Sequence, residues 1–364
     1  MTAISRSKWW VVQLAVLALI ALGTTFALEI ADPQQAQAQS SVRPPANAVT
    51  GPVGGTVPGR ARSNLSDSEM WRAVRKGIKG NVSIPDKKAG QLVQSEGDSW
   101  RALKNGPIAT WGVIGLAGMV VLLALFYLIR GKIRVDHGMS GRTITRFAEL
   151  ERMGHWLLAG SFIILAITGL NITYGKYFLL PVLGKSGFAA IAAGGKWLHN
   201  YVAFAFMAGL VMILVMWIKD NFPTGADFKW LAQGGGMFSK GVHPPANKFN
   251  AGQKILFWLV IWGGLGLSLT GIALLFPFQI GFPAGMEPIQ QMQFATTWHA
   301  IIALVMVVVV IAHIYIGTIG MEGAYDAMGT GEVDENWAKE HHSIWAKEAA
   351  KSRGDRKSKA VPAE

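Results

Sequence analysis

Four histidines stand at the ends of long apolar stretches, where an ionisable side chain is costly to bury and usually has a task. His155 lies in "ERMGHWLLAG", His199 in "KWLHNYVAF", and His299 and His313 share "TTWHAIIALVMVVVVIAHIYIG". The last two are close to four whole helical turns apart, which is roughly 21 Å along a helix. We therefore expect both side chains on one face of a single helix, at two depths.

Paired imidazoles from facing helices are suited to binding a haem iron. Antiparallel neighbours would bring His155 towards His313, and His199 towards His299, which gives two bis-histidine sites. Two neutral imidazoles with no cysteine or carboxylate beside them are too few for structural zinc. They match the two axial positions of a haem, whose porphyrin supplies the other four ligands. Because the sequence has no C-x-x-C-H motif, we expect two non-covalent haems of type b.

Five apolar runs position these histidines, and each is close to the roughly 20 residues that a helix needs to cross a bilayer. We predict membrane-spanning helices, named A to E, at Ile108–Ile129, His155–Tyr174, Trp197–Ile218, Ile255–Phe276 and Trp298–Ile319. The pattern therefore predicts an all-α integral membrane protein.

The basic residues orient these helices. The connections at 130–152 and 219–254 are rich in Lys and Arg, the connection at 277–297 has none, and the B–C connection has only Lys176, Lys185 and Lys196. Basic loops stay in the cytoplasm, so the first two connections are predicted to be cytoplasmic. The pair of His155 and His313 then lies towards the cytoplasm, and the other histidine pair towards the periplasm.

The composition agrees with a membrane protein and narrows the chemistry. Of the 364 residues, 51% are hydrophobic and 15% are charged, whereas soluble domains carry about a quarter charged residues. The absence of cysteine excludes disulfides, protein-ligated iron–sulfur clusters and thiol nucleophiles. The net charge of +12 comes from loops between apolar runs, so we expect membrane lipid, and no nucleic acid, as a partner.

The N-terminus has the features of an export signal. Basic residues precede an apolar stretch at Val11–Phe26, and "AQA" at 36–38 is a small-residue cleavage site. We expect a signal peptide at residues 1–38, with a retained anchor helix as the alternative. Residues 39–107 are polar and rich in Pro and Gly, and they are expected to form a largely irregular periplasmic segment.

Six glycines on the predicted helices have two interpretations. They give room for a flat porphyrin, or they let helices approach closely, as in many membrane bundles. They are Gly160, Gly169, Gly209, Gly263, Gly264 and Gly317.

The remaining histidines are His137, His243, His341 and His342, which fall in predicted loops or in the C-terminal tail. We expect solvated surface positions for them, with a proton-relay role for one as the alternative. The four helix-end histidines also have an alternative role, which is hydrogen-bonded packing without haem.

Several motifs occur together between roughly residues 140 and 346. They are His155, "KWLHN", "FNAGQK" at Phe249–Lys254, "WHA" at Trp298–Ala300, "HIYIGTIGMEGAYDAM", and "NWAKEHHSIW" at Asn336–Trp345. This combination resembles the membrane cytochrome b subunit, or gamma subunit, of respiratory formate dehydrogenases. The exported segment and helix A are similar to the longer bacterial form of that subunit.

The resemblance implies a four-helix di-haem cytochrome b bundle plus one additional N-terminal transmembrane helix. Residues 108–129 would form the additional helix, 130–320 the di-haem membrane domain, and 321–364 a cytoplasmic tail. The protein would lie in the bacterial inner membrane.

The resemblance also implies a function in respiration. A molybdopterin catalytic subunit would oxidise formate, and an iron–sulfur subunit would pass the electrons through two b haems of this chain to quinone. The chain itself would carry no catalytic residue for formate oxidation. The implied axial pairs are His199 with His299 and His155 with His313, which are the pairs expected from topology.

The family places a quinone beside the cytoplasmic haem, near His313. Carried over to "FNAGQK", its polar contacts would be Asn250, Gly252 and Gln253. The alternative for Asn250 and Gln253 is a capping box at the start of helix D.

Two other functions stay open on the sequence. The same di-haem carrier could serve a hydrogenase or another quinone-linked oxidoreductase, or the chain could be a haem-free membrane anchor. A transporter is disfavoured, because the sequence has no inverted repeat and no intramembrane carboxylate.

Overall fold

The computed structural model describes residues 80–81, 91–92 and 94–359. The predicted signal peptide and most of the predicted periplasmic segment lie outside the described residues. The chain divides into two compact units. The first contains the described residues up to Trp111 together with Leu269–Ala300, and the second contains Gly112–Ser268 and the residues from Ile301 on.

The described residues are mainly helical. The α-helices are α1 (Gln94–Leu103), α2 (Ala109–Arg130), α3 (Glu149–Phe178), α4 (Leu180–Trp217), α5 (Gly225–Ala232), α6 (Ala251–Leu275), α7 (Pro288–Tyr315), α8 (Asp326–Gly329), α9 (Glu335–His341) and α10 (Ser343–Lys359). Short 3₁₀ or π turns lie at Lys104–Ile108, Ile218–Asn221, Gly234–Gly236 and Ile316–Gly320. The strands are β1 (Gly80–Asn81), β2 (Gln91–Leu92), β3 (Thr143–Thr145) and β4 (Glu332–Asp334), and they pair antiparallel as β1–β2 and β3–β4.

Five helices in the described part of the chain are long and apolar enough to cross a membrane, which confirms the five predicted spans. They are α2, α3, α4, α6 and α7. Many apolar side chains on them point away from the protein; on α2, Leu128 is 78% and Ile129 86% exposed. Such exposure is unfavourable in water but costs nothing in a lipid bilayer, where helices satisfy their own backbone groups. The protein is an all-α, multi-pass membrane protein.

Three predicted helix starts were wrong. The structure begins α3 at Glu149, α4 at Leu180 and α7 at Pro288, ahead of the predicted starts at His155, Trp197 and Trp298. In the first turn of α3, Glu151 accepts the backbone N–H of Ala148 at 2.8 Å, and a carboxylate there also suits the helix dipole. Hydropathy detects the part of a helix that crosses hydrocarbon, whereas these helices extend beyond it.

Three of the six predicted glycines let helices of the second unit approach closely. A Cβ on Gly209 would lie 2.9 Å from the backbone of Leu158. A Cβ on Gly263 would lie 2.6 Å from Met306, and one on Gly264 would lie 2.8 Å from Leu210. For these three positions the structure supports the helix-packing interpretation.

The chain after α7 folds back onto the connection between α2 and α3. Ile133 forms a bridge with Met321, and Ile144 of β3 lies opposite Val333 of β4. Asp334 then caps α9, because its carboxylate accepts the backbone N–H of Asn336 at 2.8 Å. The predicted tail is therefore a packed part of the second unit as far as α10.

This packing contradicts the expected surface position of two histidines. His342 is 1% exposed, and its Nδ1–H donates to the carbonyl of Asn247 at 2.7 Å. His341 is half-buried, and its Nε2 is buried. The surface expectation holds for His137, whose side chain is 76% exposed. The sequence pattern of the tail is charged and gives no sign of the strand pairing that buries the other two.

Candidate functional site

His155 and His313 lie together in the second unit. His155 is in the first two turns of α3, and His313 is near the end of α7. Their ring centroids are 6.2 Å apart. Imidazoles bound on opposite sides of one metal at about 2 Å would place their centroids roughly 6 Å apart, so the spacing fits an axial pair. Nδ1 of His155 is buried without a hydrogen-bond partner in the described structure, which a histidine kept only for packing would usually avoid.

His199 on α4 is oriented by α3. Its Nδ1 lies 2.8 Å from the hydroxyl of Thr168, which also lies 2.8 Å from the carbonyl of Ile164. A carbonyl only accepts, so the hydroxyl donates to it and accepts the Nδ1–H of the imidazole. This arrangement leaves the lone pair of His199 on Nε2, which is the form that binds iron.

His299 on α7 likewise contacts a threonine hydroxyl, which α6 supplies. Its Nδ1 lies 2.9 Å from the hydroxyl of Thr270. The next residue, Gly271, would place a Cβ 3.3 Å from Cε1 of the imidazole. On α3, a Cβ on Gly169 would likewise lie 3.4 Å from Cε1 of His199. Each histidine thus rests against a Thr-Gly pair; a Cβ would be tight at Gly271 and in ordinary van der Waals contact at Gly169.

The two threonines were not among the residues predicted from the sequence. Their signal is a short repeated motif, "AITGL" at 166–170 and "SLTGI" at 268–272. A threonine on a membrane helix commonly bonds to its own backbone, as Thr173 does to the carbonyl of Gly169 at 3.0 Å. The motif alone therefore does not distinguish a ligand-orienting hydroxyl from an ordinary one.

His199 and His299 belong to different units, and each is described within its own unit. Their pairing therefore stays a prediction from topology. The described residues contain no group of three or more His, Cys, Asp or Glu that could hold a metal ion. A metal at these histidines would need additional ligands, which a porphyrin supplies. The buried unpaired nitrogen of His155, the spacing to His313 and the fixed tautomer of His199 all fit haem.

The residues proposed to contact quinone form the capping box at the start of α6. The N–H of Asn250 donates to Oε1 of Gln253 at 3.1 Å, and the N–H of Gln253 donates to Oδ1 of Asn250 at 2.9 Å. The capping interpretation is therefore confirmed. Because both side-chain oxygens accept backbone N–H groups, the amide NH₂ groups remain as the donors. A Cβ on Gly252 would lie 3.0 Å from the ring of Trp230.

A buried arginine lies behind this capping box. Arg146 is 4% exposed, donates to the carbonyl of Lys248 at 2.6 Å and lies 3.5 Å from Oε1 of Gln253. Three aromatic rings lie within 5.5 Å of its guanidinium, those of Phe147, Trp337 and Trp345. Burial lowers the pKa of Arg146 to about 9, so the group stays cationic at neutral pH.

A buried ion pair lies on the other side of the start of α6. Nζ of Lys254 is 2.8 Å from Oδ2 of Asp227, and both side chains are at most 9% exposed. Burial alone would raise the pKa of Asp227, but hydrogen bonds from Lys254 and Thr224 outweigh it and lower the pKa. The pair ties α5 to α6 and borders an apolar groove of about 580 Å³ that also includes Ala251 and Ile255.

Comparison with known proteins finds relatives that are named as cytochrome subunits of formate dehydrogenase. A chain from Escherichia coli strain K12, "Formate dehydrogenase, cytochrome b556(fdo) subunit", is 28% identical over 211 residues, which cover 58% of this chain and 95% of the relative. The "nitrate-inducible, cytochrome b556(Fdn) subunit" of formate dehydrogenase from the same strain is 25% identical over 222 residues, or 60% and 97% of the two chains. A "Formate dehydrogenase, cytochrome b556 subunit" from Haemophilus influenzae is 25% identical over 217 residues, or 58% and 85%.

The family comparison covers the helices that carry the histidines. The family described as prokaryotic cytochrome b561 matches residues 146–331, which include α3, α4, α6 and α7. Membrane cytochromes of this kind bind haem b and transfer electrons. Five membrane-length helices, the four histidines on three of them and this match agree, and the chain is a member of the prokaryotic cytochrome b561 family.

Proposed function

We propose that this chain is the membrane cytochrome b subunit of a formate dehydrogenase and passes electrons through two b haems to quinone. The observation that carries the proposal is the arrangement of the four helix-end histidines. His155 faces His313 at 6.2 Å, while His199 and His299 are each held by a threonine hydroxyl. The relatives named as cytochrome subunits of formate dehydrogenase supply the identity of the electron donor.

In this proposal His199 and His299 would hold the haem on the donor side, and His155 and His313 would hold the haem on the quinone side. An iron–sulfur subunit is the donor, and a molybdopterin subunit oxidises formate. The positive-inside rule places the first pair towards the periplasm and the second towards the cytoplasm. Bound haem supplies a one-electron iron couple in a medium of low dielectric.

The residues of the chain have three tasks in this transfer. Thr168 and Thr270 hold the proton of each imidazole on Nδ1 and so fix which nitrogen faces the iron. The apolar helices exclude water and bulk ions from the haems. The NH₂ groups of Asn250 and Gln253 are donors for a quinone carbonyl, and the backbone at Gly252 offers a third polar contact.

The isoprenoid tail of a quinone needs an apolar path from this site to the lipid. The groove between α5, α6 and α7 contains Ala251, which is the residue next to Asn250, and is lined further on by Trp258 and Trp262. Its apolar lining and volume of about 580 Å³ suit a hydrocarbon chain. The proposal places the head group at the capping box and the tail in this groove.

Haem quantitation and a reduced-minus-oxidised spectrum of the purified complex test the haem assignment. The wild-type complex is compared with His299→Ala and His313→Ala, and with His137→Ala as an exposed-histidine control for haem content. Two b haems are expected in the wild type and in the control, with a different haem lost from each of the other two variants. A folded complex without haem would contradict the electron-transfer function.

The donor is tested separately. Anaerobic complex in lipid is mixed with formate or with hydrogen, and haem reduction and quinone reduction are recorded. Reduction by formate alone supports the formate dehydrogenase assignment. Reduction by hydrogen alone would show that the same haem pathway serves a hydrogenase instead.

A further inference from the structure

A polar cleft opens in the second unit, outside the membrane-spanning helices. It has a volume of about 450 Å³ and is lined by His137, His243, Asn336, Lys339 and Glu340. Two acid–base pairs stand in or beside it. Nδ1 of His137 lies 2.7 Å from Glu340, and Nε2 of His243 lies 3.1 Å from Asp136. The cleft therefore opens several imidazole and carboxylate side chains to solvent.

His341 lies behind this cleft. Its ring centroid is 6.4 Å from that of His243 on the cleft side and 5.2 Å from that of Trp337 on the inner side. Five charged or titratable groups surround it. Glu340 and His342 are its neighbours in sequence, Asp136 lies in the connection between α2 and α3, and His243 lies in the connection between α5 and α6. The fifth is Arg146. Burial, offset in part by Glu340, lowers the pKa of His341 to about 4, so the ring is neutral at pH 7 and is able to accept a proton.

Beyond His341 the structure holds a group of buried polar atoms without protein partners. They are Nε2 of His341, Nε1 of Trp337, and Nε and Nη1 of Arg146. The atoms belong to neighbouring side chains, since the guanidinium of Arg146 lies 5.1 Å from the ring centroid of Trp337. Buried polar groups are nearly always satisfied, and ordered water commonly does so where protein does not. These side chains thus define a polar passage through an otherwise aromatic layer.

The passage ends at the proposed quinone site. Nη2 of Arg146 lies 3.5 Å from Oε1 of Gln253, which is the side chain proposed to contact the quinone. His342 stands beside the passage, but its Nδ1–H is committed to the carbonyl of Asn247 at 2.7 Å. The side chains therefore follow one another from His243 to His341, past Trp337 to Arg146, and then to Gln253.

We propose that this line of residues is the proton-uptake route to the quinone, with His341 as the relay between the cleft and buried water beside Arg146. The proposal rests on the proposed function, because it needs a quinone at Gln253. Reduction of one quinone takes two electrons from the haem b side and two protons from solvent, and gives one quinol. His341 accepts each proton from the cleft at one ring nitrogen and releases one from the other, which leaves the opposite tautomer. A flip of the ring restores the first tautomer before the next transfer.

Arg146 is a positioning residue in this route. It stays cationic, so it does not carry the proton; its donors orient water and the amide of Gln253. A fixed positive charge at the end of the route also favours negative charge that develops on a quinone during reduction.

The test uses the whole complex in lipid, reduced anaerobically with formate and mixed with a short-tailed quinone. Reoxidation of the haem b absorption band is followed in the wild type and in His341→Phe, His341→Gln and His341→Ala. Trp345→Phe is the matched control, because Trp345 contacts the same guanidinium at 5.5 Å and is not titratable. A water-soluble dye that accepts electrons from the catalytic subunits reports whether formate oxidation itself is intact.

Loss of a proton relay is expected to slow haem reoxidation roughly tenfold at about pH 8, and less at about pH 6, where protons are abundant. Dye reduction and haem content stay at wild-type values. Added imidazole restores the rate of His341→Ala and leaves Trp345→Phe unchanged, which a purely structural role would not produce.

Two results separate the possible failures. If the wild-type complex reduces the dye but not quinone, or binds no haem, the proposed function fails. If the wild type reduces quinone and all His341 variants match Trp345→Phe across pH, with no effect of imidazole, the route through His341 is wrong.

Discussion

Replacing Thr168 by valine removes the acceptor that orients His199 while nearly keeping the size of the side chain. The hydroxyl lies 2.8 Å from Nδ1, within a helix pair that excludes water. In the variant the Nδ1–H of the imidazole loses the hydroxyl and keeps the backbone of Leu165 as a hydrogen-bond partner. Loss of an orienting partner of this kind commonly weakens metal binding by roughly 10–100-fold.

The same hydrogen bond sets the basicity of the ligand. A hydrogen bond accepted from Nδ1–H makes the imidazole a stronger donor to iron, which favours the oxidised state. A neutral hydrogen bond contributes about 0.5–1.5 kcal/mol net. Since about 1.4 kcal/mol corresponds to roughly 59 mV for one electron, Thr168→Val should raise the midpoint potential of one haem by roughly 20–60 mV.

Potentiometric titration of the haem b band measures this shift. Thr168→Ser keeps an oxygen at the position and should stay near the wild-type potential. Thr173→Val is the matched control, because Thr173 lies on the same helix and bonds only to the carbonyl of Gly169 in the described structure. Thr270→Val should act in the same direction on the haem of His299.

The reasoning is refuted if Thr168→Val leaves both the midpoint potential and the haem content at wild-type values. It is also refuted if Thr173→Val shifts the same haem equally, because the effect would then belong to the helix and not to the hydrogen bond.

Three further changes have defined outcomes. Gly209→Ala places a Cβ 2.9 Å from the backbone of Leu158, so it should lower the free energy of unfolding by about 1–3 kcal/mol. Thermal melting in detergent measures this loss. An unchanged melting temperature would mean that the two helices move apart at no cost. Lys254→Met leaves the carboxylate of Asp227 charged and buried, so it should lower the free energy of unfolding by about 3–5 kcal/mol. Adding Asp227→Asn in the double variant should restore part of this loss. Burial lowers the pKa of His341 from 6.5 to about 4, so an unfolded tail takes up its proton first as the pH falls. The contribution of neutral His341 to the stability of the folded tail is complete above pH 6.5 and declines towards pH 4 by up to about 3 kcal/mol. Amide exchange in α9 measures this stability as a function of pH. His341→Gln should make its pH dependence shallower.

The number and type of the membrane-spanning helices follow from local sequence pattern. A backbone in hydrocarbon must satisfy its own hydrogen bonds, so an apolar run of about 20 residues has one available structure. The placement of His299 and His313 on one face of a single helix also follows from the sequence, because it depends only on the number of residues per helical turn. The facing of His155 and His313 followed from the order of the helices and is found at 6.2 Å.

Which side chains meet depends on the packing of the helices and could not be predicted from local pattern. The hydroxyls that orient the two histidines lie 31 and 29 residues away along the chain, and several other threonines stand on the same helices. The rotation of each helix about its axis selects among them, and packing with neighbours sets that rotation. The burial of His342 and Arg146 likewise depends on the pairing of β3 with β4, which joins segments that are nearly two hundred residues apart. Local pattern fixes a helix or strand, whereas contacts between distant segments depend on how all of them pack at once.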